Sequence, residues 1–210
     1  MSRSQYYEEM KRLAREVREE FGLETPRVLR ADLRCIYRKH HIKIDLWPAT
    51  EGQPCKLRKL RGAYFNDEMG STVMINRQLP QDPRIFTMAH ELKHHLVDRD
   101  IAVSYCGRDN ENIPIEIAAE VFAAELIFPE NDFADRLIQM GVGYGKCTPE
   151  DLVRLKCETK TTLSYAGLEK RAVFMRFAVK GSFAGVQWKK LEEQIYGEPL
   201  YKLLQRRRGL

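Results

Sequence analysis

Apolar and polar positions along the chain change period several times, and each change marks an element. Tyr6, Met10, Leu13, Val17 and Phe21 recur at helical spacing. Ser2-x-x-Gln5 ahead of them suits a capping box, and Gly22 closes the helix. Thr25-Pro26 predicts the start of a second helix, with Val28, Leu29, Leu33, Ile36 and Tyr37 as its apolar side. At Ile42 the period drops to two: Ile42, Ile44 and Leu46 alternate with polar residues, a strand stopped by Pro48. A polar loop follows over 49–60. Arg61–Asn66 and Thr72–Asn76 then read as a hairpin turning through Asp67–Ser71, with Gly70 inside the turn. Helical spacing returns at Ile85, Ala89, Leu92 and Leu96, behind Asp82 as N-cap and Pro83 at the first helical position.

The second half is mostly helical in pattern. Arg99–Asn112 is polar and irregular. Pro114 opens an apolar helix, IEIAAEVFAAELIF, stopped at Pro129, with Ile117, Val121, Ala124, Ile127 and Phe128 facing a core. Asn131 caps a short helix to Met140, closed by Gly141. Thr148-Pro-Glu-Asp151 is a strong helix start. Leu152–Cys157, a break at Thr159–Thr162 and Leu163–Met175 give two short helices resembling a helix-turn-helix. Arg176–Leu210 predicts a short extended piece, then helices near Val186–Tyr196 and Pro199–Arg207. The pattern is α+β. A small antiparallel or mixed three-stranded sheet packs on helices in a domain over 1–145. A mostly helical extension over 146–210 carries the helix-turn-helix-like pair at 148–175.

Composition narrows the class. Hydrophobic residues at 43% and charged residues at 31% fit a soluble globular protein, and no apolar run approaches a membrane span. The start, MSRSQYYEEMKRLAREV, has no apolar core of a secretory signal. Five cysteines, none in a C-x-x-C pair, suit a reducing cytoplasm and argue against a cysteine zinc site. The formal charge of +5 gathers in Lys56–Arg61 and Arg206–Arg208, which read as solvated surface, or as contacts for an acidic partner or nucleic acid. Direct DNA reading is the weaker expectation, because LSYAGLEKRAVFM offers few polar side chains to base edges. His40 and His41 sit at a helix–strand junction and read as surface or capping residues.

The chemistry lies in PRIFTMAHELKHHLVD, residues 83–98. His90-Glu91-Leu92-Lys93-His94 is an H-E-x-x-H motif on a predicted helix. His90 and His94 stand one turn apart and can share one Zn²⁺, which puts Glu91 beside the metal as a proton acceptor. A third ligand must come from elsewhere. Glu116 and Glu120 lie one turn apart in the apolar helix, where an unpaired carboxylate is costly and a metal would satisfy it. Two histidines and one carboxylate leave a zinc position open, the catalytic pattern. The oxyanion-stabilising donor stays open among His95, Tyr64 and Tyr105.

The residues resemble the ImmA/IrrE-type zinc metallopeptidases of bacteria and their mobile elements, from about Gly62 to Pro129 and more loosely to about Met175. The resemblance rests on Arg61-Gly-Ala-Tyr64, TVMIN ending at Asn76, Phe86-Thr-Met-Ala-His-Glu-Leu-Lys-His94 and Phe122-Ala-Ala-Glu-Leu-Ile-Phe-Pro129. It implies a zincin-like fold, His90, His94 and Glu116 as zinc ligands, and Glu91 as catalytic base. It also implies a protein substrate, cleaved at one site: a helix-turn-helix repressor controlling stress-response or mobile-element genes. Two positions depart from the family pattern. Lys93 replaces the usual Gly, at a position able to face outward. Glu120 replaces the usual Asn or Asp and is expected to orient a ligand histidine, which leaves Glu120 as the alternative third ligand. The strand Thr72–Ile75 is the expected sheet edge for substrate. Two other readings compete. One is a non-catalytic zinc- or protein-binding regulator. The other is a SprT-like DNA-associated zinc protease, which would need His40 or His41 as third ligand.

Overall fold

The computed structural model describes residues 2–47, 60–99, 114–199, 201–202 and 206, and 103–106 as main chain only. The polar loop, most of the Lys56–Arg61 cluster and most of the basic tail lie outside the described residues, as do the side chain of Tyr105 and most of the last expected helix. In chain order the elements are α1 (Arg3–Glu20), α2 (Arg30–Lys39), β1 (Lys43–Trp47), β2 (Gly62–Asp67), β3 (Gly70–Asn76), α3 (Gln81–Val97), β4 (Val103–Cys106), α4 (Pro114–Ile127), α5 (Glu130–Gln139), α6 (Pro149–Thr159), α7 (Tyr165–Phe174) and α8 (Trp188–Tyr196). The class is α+β, as the pattern predicts. No described helix is long and apolar enough to cross a membrane.

Packing divides the chain into two compact units, Met1–Pro129 and Glu130–Leu210. In the first, α1 begins with the expected capping box: Ser2 Oγ accepts from Gln5 N at 3.2 Å and Gln5 Oε1 accepts from Ser2 N at 2.8 Å. α2 starts at Arg30 rather than at Thr25-Pro26, because Asp32 reaches back to the N–H of Leu29 at 2.7 Å and fixes the first turn there. α3 begins at Gln81, so Pro83 lies inside its first turn, where a missing N–H costs nothing.

The sheet order is β1-β3-β2-β4, with β1 parallel to β3 and the other pairs antiparallel. The expected three strands are present, and β4 adds a fourth within the stretch read as irregular. Four residues are too few for period two to show in sequence, and pairing with β2 supplies the regularity. The order also corrects the expected edge. β3, which contains Thr72–Ile75, is flanked by β1 and β2, so among the described residues the outer strands are β1 and β4.

α3 is the axis of this unit. It packs on α4, β2, β3, β4 and α2, and every residue from Thr87 to His95 is buried. The apolar stripe Ile85–Ala89–Leu92 is fully enclosed, each large side chain contributing about 1.5–3 kcal/mol. α1 lies along α4 and pins its C-terminus. Arg18 donates to the carbonyls of Leu126 at 2.7 Å and Ile127 at 3.4 Å, and Arg15 pairs with buried Glu125 at 2.9 Å.

In the second unit, α6 and α7 form the expected helix pair. Thr148 and Asp151 make a reciprocal cap, Lys160 turns the chain in left-handed conformation, and Ser164 caps α7. Residues 175–185 form turns rather than the extended piece expected, with Gly181 and Gly185 at positive φ.

Candidate metal centre

His90 and His94 project from α3 toward α4, one turn apart, and Glu116 in the first turn of α4 meets them. His90 Nε2 lies 3.1 Å from Glu116 Oε2, His94 Nε2 lies 3.5 Å from Glu116 Oε1, and the two Nε2 atoms are 3.2 Å apart. Ligand atoms 2.0–2.1 Å from one tetrahedral ion stand about 3.3 Å from each other. The triangle therefore has the size of one metal's ligand set, and its donors, two imidazoles and a carboxylate, suit a borderline cation. All three residues are buried. Burial holds His90 below its ordinary pKa against the opposing pull of Glu116, which keeps the imidazole in its neutral, ligating form. This group can hold a metal ion.

Glu91 follows His90 on α3 and turns toward β2. A Cβ at Gly62 would come within 2.6 Å of Glu91 Oε1, so the strand approaches this carboxylate as only glycine permits. Both Glu91 oxygens are buried without a hydrogen-bond partner among the described residues. Burial first, and the charge of Glu116 second, push its carboxyl well above the ordinary range. A carboxylate sealed in this way is a group poised to exchange a proton.

Two neighbours of the site escaped sequence reasoning. Asp98 Oδ2 lies 2.7 Å from His94 Nδ1. A hydrogen bond there places the ring proton on Nδ1 and leaves the Nε2 lone pair facing Glu116. Orienting a ligand histidine was the role expected of Glu120; for His94, Asp98 holds it. Glu120 is half-buried one turn along α4, and its charge acts on His90. Asp98 follows His94 by four residues, a helical spacing that signalled the contact. Asp98 itself feels burial pushing its pKa up, but the hydrogen bonds from His94 and Lys93, with the charge of the Lys93 ammonium, outweigh this and hold it low.

The second is Lys93, whose side chain is completely buried rather than facing outward. The outward reading assumed a helix with a solvent side, and α3 has none over Thr87–His95.

His95, Tyr64 and His40 lie in a different network. Arg99 donates to His95 Nε2, so the neutral ring carries its proton on Nδ1, 3.3 Å from Tyr64 Oη. Tyr64 in turn meets Ser71 Oγ at 3.3 Å, and Ser71 donates to Asn66 at 2.9 Å. His40 caps the end of α2 and stacks edge-on against His95, 5.7 Å between centroids. Neither His40 nor His41 joins the metal-binding group among the described residues. That removes the ligand which a third-histidine site would need.

Residues 53–165, more than half of the chain, match the family model described as Peptidase M78, IrrE N-terminal-like domain. No curated protein matches the chain.

Proposed function

Because the chain belongs to the Peptidase M78 family of IrrE N-terminal-like domains, the metallopeptidases of the ImmA/IrrE type, we propose that it is a zinc-dependent endopeptidase. His90, His94 and Glu116 are the zinc ligands and Glu91 is the catalytic base. The observation that carries the reading is the buried His90–His94–Glu116 triangle with an unpartnered Glu91 beside it. When bound, zinc supplies a Lewis acid that activates water and polarises the scissile carbonyl. Glu91 takes the proton of the attacking water and passes it to the leaving amine. Its burial raises its pKa above the ordinary carboxylate range, which makes it the stronger base. Asp98 keeps His94 in the ligating tautomer.

The substrate is a protein, and the reading extends to one cytoplasmic target, a helix-turn-helix repressor cut at one site. β4 supports this. Among the described residues it is an outer strand beside α3, whereas the other outer strand, β1, lies beside α2. An extended segment adding to β4 would run past the helix that carries Glu91. The net charge of +5 would steer the enzyme toward an acidic partner face, at a rate that falls with salt.

The test incubates zinc-loaded protein with the repressor encoded nearest to it, and separately with casein. A single cut in the repressor, absent with Glu91→Gln, is expected, and that variant should keep its zinc and its fold. Rapid casein digestion with the repressor intact would sink the proposal.

A further inference from the structure

Lys93 is an unusual residue to enclose. Its side chain is 0% exposed, between two ligand histidines in sequence and beneath α4 in space. The ammonium donates to Asp98 Oδ2 at 2.6 Å and to the carbonyl of Ile115 at 3.2 Å, and stands 5.6 Å from the ring centroid of Tyr6 on α1. Each contact has a meaning for the site. The Asp98 oxygen it binds is the one that meets His94 Nδ1. Ile115 is the residue before Glu116, just as Lys93 is the residue before His94. The ammonium thus touches the immediate support of two ligands that arrive on different helices.

We propose that Lys93 is a positioning residue for the metal: a buried clamp that ties the Asp98–His94 pair on α3 to the main chain carrying Glu116 on α4. This inference rests on the metal-site reading and deepens it. Glu116 meets His90 and His94 through its own side chain, and the Ile115 carbonyl gives the main chain beside it a polar anchor on α3. An ammonium serves because it has three donors and no acceptor, so it can bridge a carboxylate and a carbonyl at once. It also offsets the charge of Asp98, which would otherwise add to that of Glu116 within one buried cluster. Ordering both ligands before metal arrives leaves less freedom to lose on binding.

The test uses the full chain, stripped of metal and titrated with Zn²⁺ against a chromophoric chelator. Lys93→Met keeps the length and removes the donors. The expected result is about 10- to 100-fold weaker zinc binding, the range for changes behind a ligand. The Co²⁺-loaded variant should also show shifted d–d bands, since the ligand geometry relaxes. Lys93→Arg, which keeps a multidentate cation, should recover part of the affinity. A residue that only braces the core would lower the melting temperature of the metal-free and loaded forms equally, leaving affinity and Co²⁺ spectrum unchanged. That outcome overturns the proposal.

If Lys93→Met does not fold, Asp98→Asn is compared with Lys93→Met/Asp98→Asn. The asparagine still accepts from His94, so a further tenfold loss reports the tether to Ile115, and equal affinities overturn the clamp. Failure of both single variants and the double variant to fold at saturating zinc makes Lys93 a general brace and also overturns it. A wild-type chain that takes up no zinc would instead refute the metal site itself.

Discussion

Replacing Gly62 with alanine tests how closely the sheet holds the base. The added Cβ would stand 2.5 Å from Thr87 Cγ2 and 2.6 Å from Glu91 Oε1. Non-bonded carbon contacts rest at about 3.5–4.0 Å, so something must yield by about 1 Å. Thr87 is poorly placed to move, because its hydroxyl donates to the carbonyl of Pro83 at 2.9 Å and its side chain is β-branched. Glu91 is fully buried and can only swing within a packed core. Overpacking of this kind costs about 1–3 kcal/mol. At about 2–4 °C per kcal/mol for a chain of this size, the melting temperature should fall by about 2–12 °C. A displacement of about 1 Å in a catalytic group costs about 100-fold in rate. The three atoms nearest the Cβ belong to Thr87 and Glu91 and to none of the three proposed ligands, so zinc uptake should persist. Thermal scanning, chelator competition and cleavage of the candidate repressor measure the three quantities. Wild-type stability and cleavage in Gly62→Ala would refute the close approach. Weakened zinc uptake, with cleavage restored at saturating zinc, would show that Gly62 supports the ligands instead.

Two further predictions follow from the site and from the network beside it. Glu116→Gln should weaken zinc binding far more than Glu120→Gln, for which about 10- to 100-fold is expected; the opposite order in chelator competition would move the third ligand to Glu120. His95 is held down to about pKa 4 by burial, then by Arg99 and His40, against an ordinary 6.5. As pH falls below 6.5 the unfolded chain gains a proton that the folded chain refuses until about 4, so His95 subtracts stability across that window and adds nothing above it. Denaturant midpoints between pH 7 and 4 should therefore fall less steeply in His95→Gln than in the wild type, and parallel slopes would contradict the assignment.

The elements that sequence periodicity reveals are those whose regularity is carried by side chains. α1, the β2–β3 hairpin and α6 declared themselves through capping residues, turns and apolar spacing, and the H-E-x-x-H helix carried His90, Glu91 and His94 on its face. α4 was legible as a helix, but of its expected core face Ile117, Val121 and Ala124 are only half-buried, while Ala118, Ala119, Phe122 and Ala123 are enclosed, because α1 and α3 cover it on two sides. Glu116 was legible for a physical reason as well: a carboxylate in so apolar a helix needs a partner. What escaped was decided by pairing between distant segments. β4 is a strand because β2 offers it hydrogen bonds, and β3 is internal because β1 joins it in parallel from the far side. Neither fact has a local signature.

Lys93 failed for a related reason. Read along α3 alone, a lysine among apolar residues marks the solvent side. In the folded chain that side is occupied by α4 and α1, and the lysine is enclosed with Asp98, the Ile115 carbonyl and the Tyr6 ring as its partners. A buried ammonium is tolerated only where such partners are all in place. The same condition makes its position informative: a lysine buried next to a histidine of an H-E-x-x-H motif requires a carboxylate within reach, and Asp98, five residues on in sequence, meets the requirement while holding His94 with the same oxygen. The charged residue that breaks the apolar pattern of α3 and the carboxylate that meets His94 are thus two ends of one ion pair.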